Sequence, residues 1–176
     1  KNFIQKHHIK RLYVRFFDVV RDADGEIMPN ATLQFDTADE KRTTEEKEKE
    51  SLMPKGMEII PVVYIVNDCF KANTKTNPIS SDKSGWKSSD ETPRQLADKI
   101  LNRILQMNEA NDIGNVKEIQ IDCDWTASTK DAYFEFLHFL KEKAKDKKMQ
   151  LSATIRLHQL SMTPPPVDRG ILMMYN

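Results

Sequence analysis

Hydrophobic and polar residues alternate cleanly over 118–126. Ile119, Ile121 and Cys123 point one way and Gln120, Asp122 and Asp124 the other, which is the period of a strand. Residues 11–20 alternate in the same way. Leu12, Val14 and Phe16 share one face; Tyr13, Arg15 and Phe17 share the other. A third strand, 58–67, is almost continuously apolar, as a strand buried on both faces should be. Pro61 lies inside it and removes a ladder donor, so a bulge or edge geometry is expected there. Over 151–157, Leu151, Ala153, Ile155 and Leu157 form one face, and Ser152, Thr154, Arg156 and, just beyond, His158 the other. A last strand is predicted over 170–176.

Helical spacing occupies the intervals. Thr92-Pro93 opens a helix whose stripe is Leu96, Ile100, Ile104 and Met107, broadened by Leu101 and Leu105. The sequence 112–115, Asp-Ile-Gly-Asn, ends it. Ser128 or Thr129 caps a second helix over about 130–147, with Tyr133, Phe134, Leu137, Leu140 and Ala144 inward. A short helix end is expected over 1–9. Residues 21–56 and 71–92 read as long polar excursions, the first carrying a solvated helix of mixed charge. Asp18 reads as a turn or cap carboxylate at a strand end.

Strands alternating with helices predict an α/β fold with a parallel sheet. Asp122 and Asp124 stand near the carboxyl end of the central strand. An unpaired buried carboxylate costs several kcal/mol, so they need charge partners or a polar cavity. A parallel βα barrel of the TIM type offers such a cavity at that end. About five strands are predicted, where a barrel has eight in about 250 residues. The expectation is therefore an incomplete barrel within these 176 residues, completed by segments outside the chain or by another chain, or else an open parallel sheet.

Composition narrows the chemistry. Lys plus Arg number 27 and Asp plus Glu 27, so no global charge favours nucleic acid. No apolar run approaches the roughly 20 residues needed to span a bilayer. Cys69 and Cys123 fall near predicted strand ends, where a disulfide is one outcome. His7 and His8 lack the spacing of metal ligands, and no metal site or cofactor is expected. Arg15 and Arg156, each on a predicted strand, need anions, for which Asp122 and Asp124 are the natural partners. Asn67 and Asp68 end the third strand on the same prospective active face. Trp86, in the second excursion, is placed either to stack on a sugar or to pack over the rim.

Asp122-Cys123-Asp124-Trp125 resembles the Asp-x-Asp-Trp core of the fourth-strand signature of chitinase-like, family 18 glycoside hydrolases. Met173-Met174-Tyr175-Asn176, two strands later, is similar to that family's sixth-strand Met-x-Tyr-Asp. The set is also similar to an uncharacterised bacterial family of glycosidase-like barrels, over roughly the last third of the chain. The resemblance implies that the strands present are the second to the sixth of a barrel. It also implies a glycan substrate and a processed leader with periplasmic or cell-surface placement. By this resemblance Asp122, Asp124 and Tyr175 are the catalytic candidates. Arg15, Asn67, Asp68, Trp125, Arg156, His158 and Asn176 are the substrate-binding candidates.

The sequence departs from the signature. Thr126 stands where the family's acid Glu follows the Trp, and a hydroxyl cannot protonate a leaving group at useful pH. Ile119-Gln120 replaces the opening Asp-Gly, and Asn176 replaces the sixth-strand Asp. Three readings follow. One is a glycoside hydrolase using Asp122 and Asp124 in altered roles, one as acid and the other ionised. Another is a glycan-binding barrel that lost its acid. The third is an internal ion-pair network of Asp122, Asp124, Arg15 and Arg156.

Overall fold

A computed structural model describes residues 2–35, 57–71 and 92–175. Trp86, Asn176 and the charged segment 37–52 lie outside the described residues. A short helix α1 (Asn2–Lys6) leads to β1 (Arg11–Arg21), β2 (Ile27–Asn30) and β3 (Glu58–Ile65), which ends in a 3-10 turn, Asn67–Phe70. Helix α2 (Pro93–Ala110), β4 (Glu118–Asp122), α3 (Lys130–Asp146) and β5 (Gln150–Ile155) follow. A second 3-10 turn, Leu157–Ser161, and β6 (Arg169–Leu172) complete the described elements.

These strands form one six-stranded sheet in the order β2-β1-β3-β4-β5-β6. Only the β1–β2 pair is antiparallel; the rest are parallel. The sheet is not closed, so the described strands form an open α/β sheet, not a complete barrel. Strand β2 lies inside the stretch expected to be a polar excursion. Its hairpin turns at Asp22, whose carboxylate accepts the backbone N–H groups of Asp24 and Glu26, with Gly25 at φ 93°. Asp18 is consequently an interior strand residue opposite Asn30, not a turn or cap.

Helix α2 starts at a capping box. The Thr92 hydroxyl accepts the Gln95 N–H, and the Gln95 side chain accepts the Thr92 N–H. The helices pack together and cover one face of the sheet, where Ile59, Val63, Ile65, Ile119, Ile121 and Leu151 are buried among Leu96, Ile100, Ile104, Leu137 and Leu140. Phe136, overlooked in the sequence pattern, is fully buried there, whereas Phe134 is half-buried. The bulge expected at Pro61 falls on the neighbouring strand instead. The β1–β3 register shifts between Arg15 and Phe17, opposite Val62. That extra residue turns both Phe16 and Phe17 into the core, so Phe17 does not share the face of Tyr13 and Arg15. Pro61 itself is tolerated because β3 pairs with β4 only from Val62 onward.

The opposite face is concave. Strands lie about 4.8 Å apart, so β1 and β6, four steps from each other, would stand about 19 Å apart in a flat sheet. Yet the Arg169 guanidinium on β6 donates to the Tyr13 hydroxyl on β1 at 3.0 Å and pairs with Glu118 on β4. Side chains from the two strands meet only if the sheet curls toward them. This curl explains why Glu118, Gln120, Ser152 and Thr154 are buried on a face that neither long helix covers.

Candidate functional site

The concave face is ordered in rows set by the pairing register. One row runs Asn30, Asp18, Tyr64 and Asp122 across β2, β1, β3 and β4, and Thr154 on β5 continues it by donating to Asp122 Oδ1 at 2.6 Å. The row nearer the amino end runs Arg15, Val62, Gln120, Ser152 and Arg169. The row through Tyr64, Asp122 and Thr154 lies within one residue of the ends of β3, β4 and β5, so its polar groups look toward the carboxyl rim.

Arg156 gathers that rim. Strand β5 stops at Ile155, and the chain turns so that the Arg156 side chain reaches back over β4. Its Nη2 donates to Asp122 Oδ1 at 3.0 Å, its Nε pairs with Asp124, and its Nη1 donates to the Tyr175 hydroxyl at 3.0 Å. The guanidinium carbon also stands 5.6 Å from the Tyr175 ring centroid. Burial disfavours the charged guanidinium, but the Tyr175 contact and the two carboxylates outweigh it and raise its pKa further. Arg156 is held by Gln159, a buried residue that the sequence pattern did not single out. Gln159 accepts the Arg156 backbone N–H and donates to the Trp125 carbonyl, both at 2.9 Å, tying the loop after β5 to the loop after β4.

The group opens to solvent through a cleft of about 470 Å³ lined by Asp124, Arg156, Leu157, His158 and Tyr175. The Asp124 side chain is 49% exposed and that of Asp122 only 17%, so Asp124 is the carboxylate presented to the cleft. Tyr175 is 60% exposed. Arg156, expected to pair with Asp122 or Asp124, pairs with both, and Tyr175 and His158 line the same cleft.

Other expected site residues stand elsewhere. Arg15 pairs with Asp18, not with Asp122 or Asp124: Nε to Oδ1 is 2.5 Å and Nη2 to Oδ2 is 2.7 Å. The two residues flank the β1 bulge, which brings them together on one face. Asp18 is the main cause of the raised Arg15 pKa, opposed by burial. Trp125 does not face a ligand. Its ring is fully buried, stacked on Tyr133 at 6.0 Å and edge-on to Phe134 at 5.1 Å. The strand ends at Asp122, so the alternation does not carry to residue 125. Asn67 is used structurally: its side-chain oxygen accepts the Thr129 hydroxyl at 2.6 Å. That same hydroxyl accepts the Thr126 N–H, so Thr129 stands at the α3 N-terminus without capping it through its side chain. Asp68 is exposed and pairs with Lys71 at 2.6 Å.

Tyr64 was the principal omission. It faces the trough between Asp18 and Asp122, with the Arg15 guanidinium 4.5 Å from its ring centroid. Burial raises its phenol pKa, and the charges of Asp124 and Asp122 raise it further. Its sequence signal was present, since the 58–67 strand places Tyr64 two residues from Val62 on one face. Cys69 and Cys123 are both buried and form no disulfide. Among the described residues no group of three or more His, Cys, Asp or Glu side chains is placed to hold a metal ion. No described helix is long and apolar enough to cross a membrane. No protein-family model, curated protein or solved structure matches the chain.

Proposed function

We propose that this chain acts on glycans as part of a glycosidase-like βα barrel, with the sugar seated in the cleft at the carboxyl ends of β4 and β5. The observation that carries this reading is the joining of Asp122, Asp124 and Tyr175 by one guanidinium beside an open cleft. The curled polar face supports the barrel, since a closed barrel needs strands bent about a common axis with their inner side chains in rows. A Tyr ring beside carboxylate and guanidinium edges suits a sugar, which offers an apolar face and a rim of hydroxyls. In the hydrolytic form of this reading Asp124 is the carboxylate that meets the sugar. Asp122, held by Thr154 and Arg156, is a positioning residue.

A specific observation favours a binding-only form. Among the described residues Asp124 is the one carboxylate lining the cleft, and Asp122 stands behind the same guanidinium instead of across from it. Glycosidases flank the scissile bond with two carboxyl groups. Thr126, at the family's acid position, bonds to Ser128 instead.

Titration calorimetry with neutral oligosaccharides, alongside hydrolysis of a panel of chromogenic glycosides, separates the readings. Hydrolysis is expected to fall about a hundredfold or more in Asp124→Asn if this carboxylate reacts. Binding without turnover selects the binding module. Neither binding nor turnover leaves the rim as an ion-pair network and ends the glycan proposal.

A further inference from the structure

The charge balance of the rim specifies the charge of what it binds. Arg15 spends its Nε and one terminal nitrogen on Asp18. Arg156 spends Nε, Nη1 and Nη2 on Asp124, Tyr175 and Asp122. Each nitrogen of Arg156 thus already has one acceptor, its two terminal nitrogens keeping one further N–H each, and Arg15 is paired with a carboxylate of its own strand. Negative charge, not donor capacity, is in excess. Asp122 and Asp124 each use only Oδ1 toward Arg156 and Thr154, and no donor from the described residues reaches either second oxygen. The charges of Asp18, Asp122 and Asp124 against those of Arg15 and Arg156 leave one negative charge, and Asp124, half exposed in the cleft, is where a ligand meets it.

We infer that the cleft takes a donor-rich, amine-bearing saccharide in preference to a neutral one and excludes acidic sugars, with the ligand amine accepted by Asp124. This rests on the glycan reading above and adds the substrate class. An ammonium on the sugar gains a charge-assisted hydrogen bond to a carboxylate already desolvated on one side. A uronate or sulfate meets the surplus negative charge at Asp124, because the one guanidinium beside it is already outweighed by the two carboxylates it pairs with. Tyr64 extends the surface toward β1. Its hydroxyl makes no hydrogen bond to a described residue and faces the same trough, where it serves ligand hydroxyls. His158 lines the same cleft.

The test is calorimetric titration of the purified protein with glucosamine, glucose and glucuronic acid oligomers of equal length. The glucosamine oligomer is expected to bind about tenfold or more tighter than the glucose oligomer, and the glucuronic acid oligomer weakest. Raising NaCl to about 0.5 M should erode the first preference and leave glucose binding unchanged. In Asp124→Asn the preference for glucosamine should collapse, whereas in His138→Gln, on the exposed side of α3 and outside the cleft, it should persist. Equal affinities, or tighter binding of the acidic oligomer, overturn this inference while leaving the glycan reading in place. No binding of any of the three removes both.

Discussion

Among single residues, Glu118 and Arg169 set the most consequential contact outside the cleft. The Glu118 side chain is 3% exposed, and its charge is met by Arg169, which also holds Tyr13. The second Glu118 oxygen and the Arg169 Nε have no hydrogen-bond partner among the described residues. Such a pair contributes little net stability when intact, but removing one member strands a buried charge. Arg169→Met is therefore expected to destabilise the protein by about 3–5 kcal/mol. Glu118→Gln with Arg169→Met should recover most of that loss. Urea denaturation of the two variants checks this, and equal losses would show that the charge pairing is not the cause. Neither residue was legible as a pair in the sequence: alternation assigned Glu118 to a face, but Arg169 lay before the predicted last strand. Asp122, Asp124 and Arg156 were legible as partners because all three alternate onto one face and opposite charges on neighbouring strands seek each other. Arg15 obeyed the same rule with a nearer anion, Asp18, which a bulge brought within reach.

Element by element, the crossover from β5 to β6 lacks a long helix, and Asp168 does the anchoring. Its backbone N–H donates to the Leu151 carbonyl at 2.8 Å while its carboxylate accepts the Leu151 N–H at 2.9 Å. Lys141 on α3 pairs with the other carboxylate oxygen at 2.9 Å. Burial raises the carboxyl pKa, but the Leu151 hydrogen bond and Lys141 outweigh it, and the net shift is downward. A carboxyl held below its ordinary range binds fewer protons folded than unfolded. Its stabilisation is thus present above the ordinary carboxylate range and disappears as pH falls through the folded value. Asp168→Asn is expected to cost about 1 kcal/mol near neutrality, a modest figure because the group is partly solvated. The difference from the unmutated protein should shrink as pH falls through and below the ordinary carboxylate range, and chemical denaturation across that range tests it. A constant difference at all pH values would assign the effect to geometry instead of charge. The helices and the four parallel core strands were readable from period and capping chemistry. Strand β2 was not, because Ile27-Met28-Pro29-Asn30 is short, contains a proline and is mostly exposed, so it carries no alternation of its own.

For the whole molecule, the decisive property is two-sidedness: a dry face under α2 and α3 and a polar trough behind it. Cys69 and Cys123 report on the dry side. Burial raises the Cys123 pKa strongly, with Asp124 adding to it, so the nucleophilic thiolate is scarce in the fold. An aromatic disulfide reagent at pH 8 is expected to label neither thiol in the folded protein and both in denaturant. A thiol that reacts rapidly under native conditions would mean that this face opens to solvent. The trough itself was only partly foreseeable. Strand and helix period determined the α/β class, the parallel pairing and the side of the sheet on which Asp122 and Arg156 fall, because each depends on local spacing along the chain. The curl that lets Arg169 touch Tyr13, the exposure of Asp124 rather than Asp122, the burial of Trp125 and the joining of Asp122, Asp124 and Tyr175 by Arg156 were decided by tertiary structure. Those features depend on where strands stop and on how distant side chains compete for one another, and no window of sequence contains both competitors.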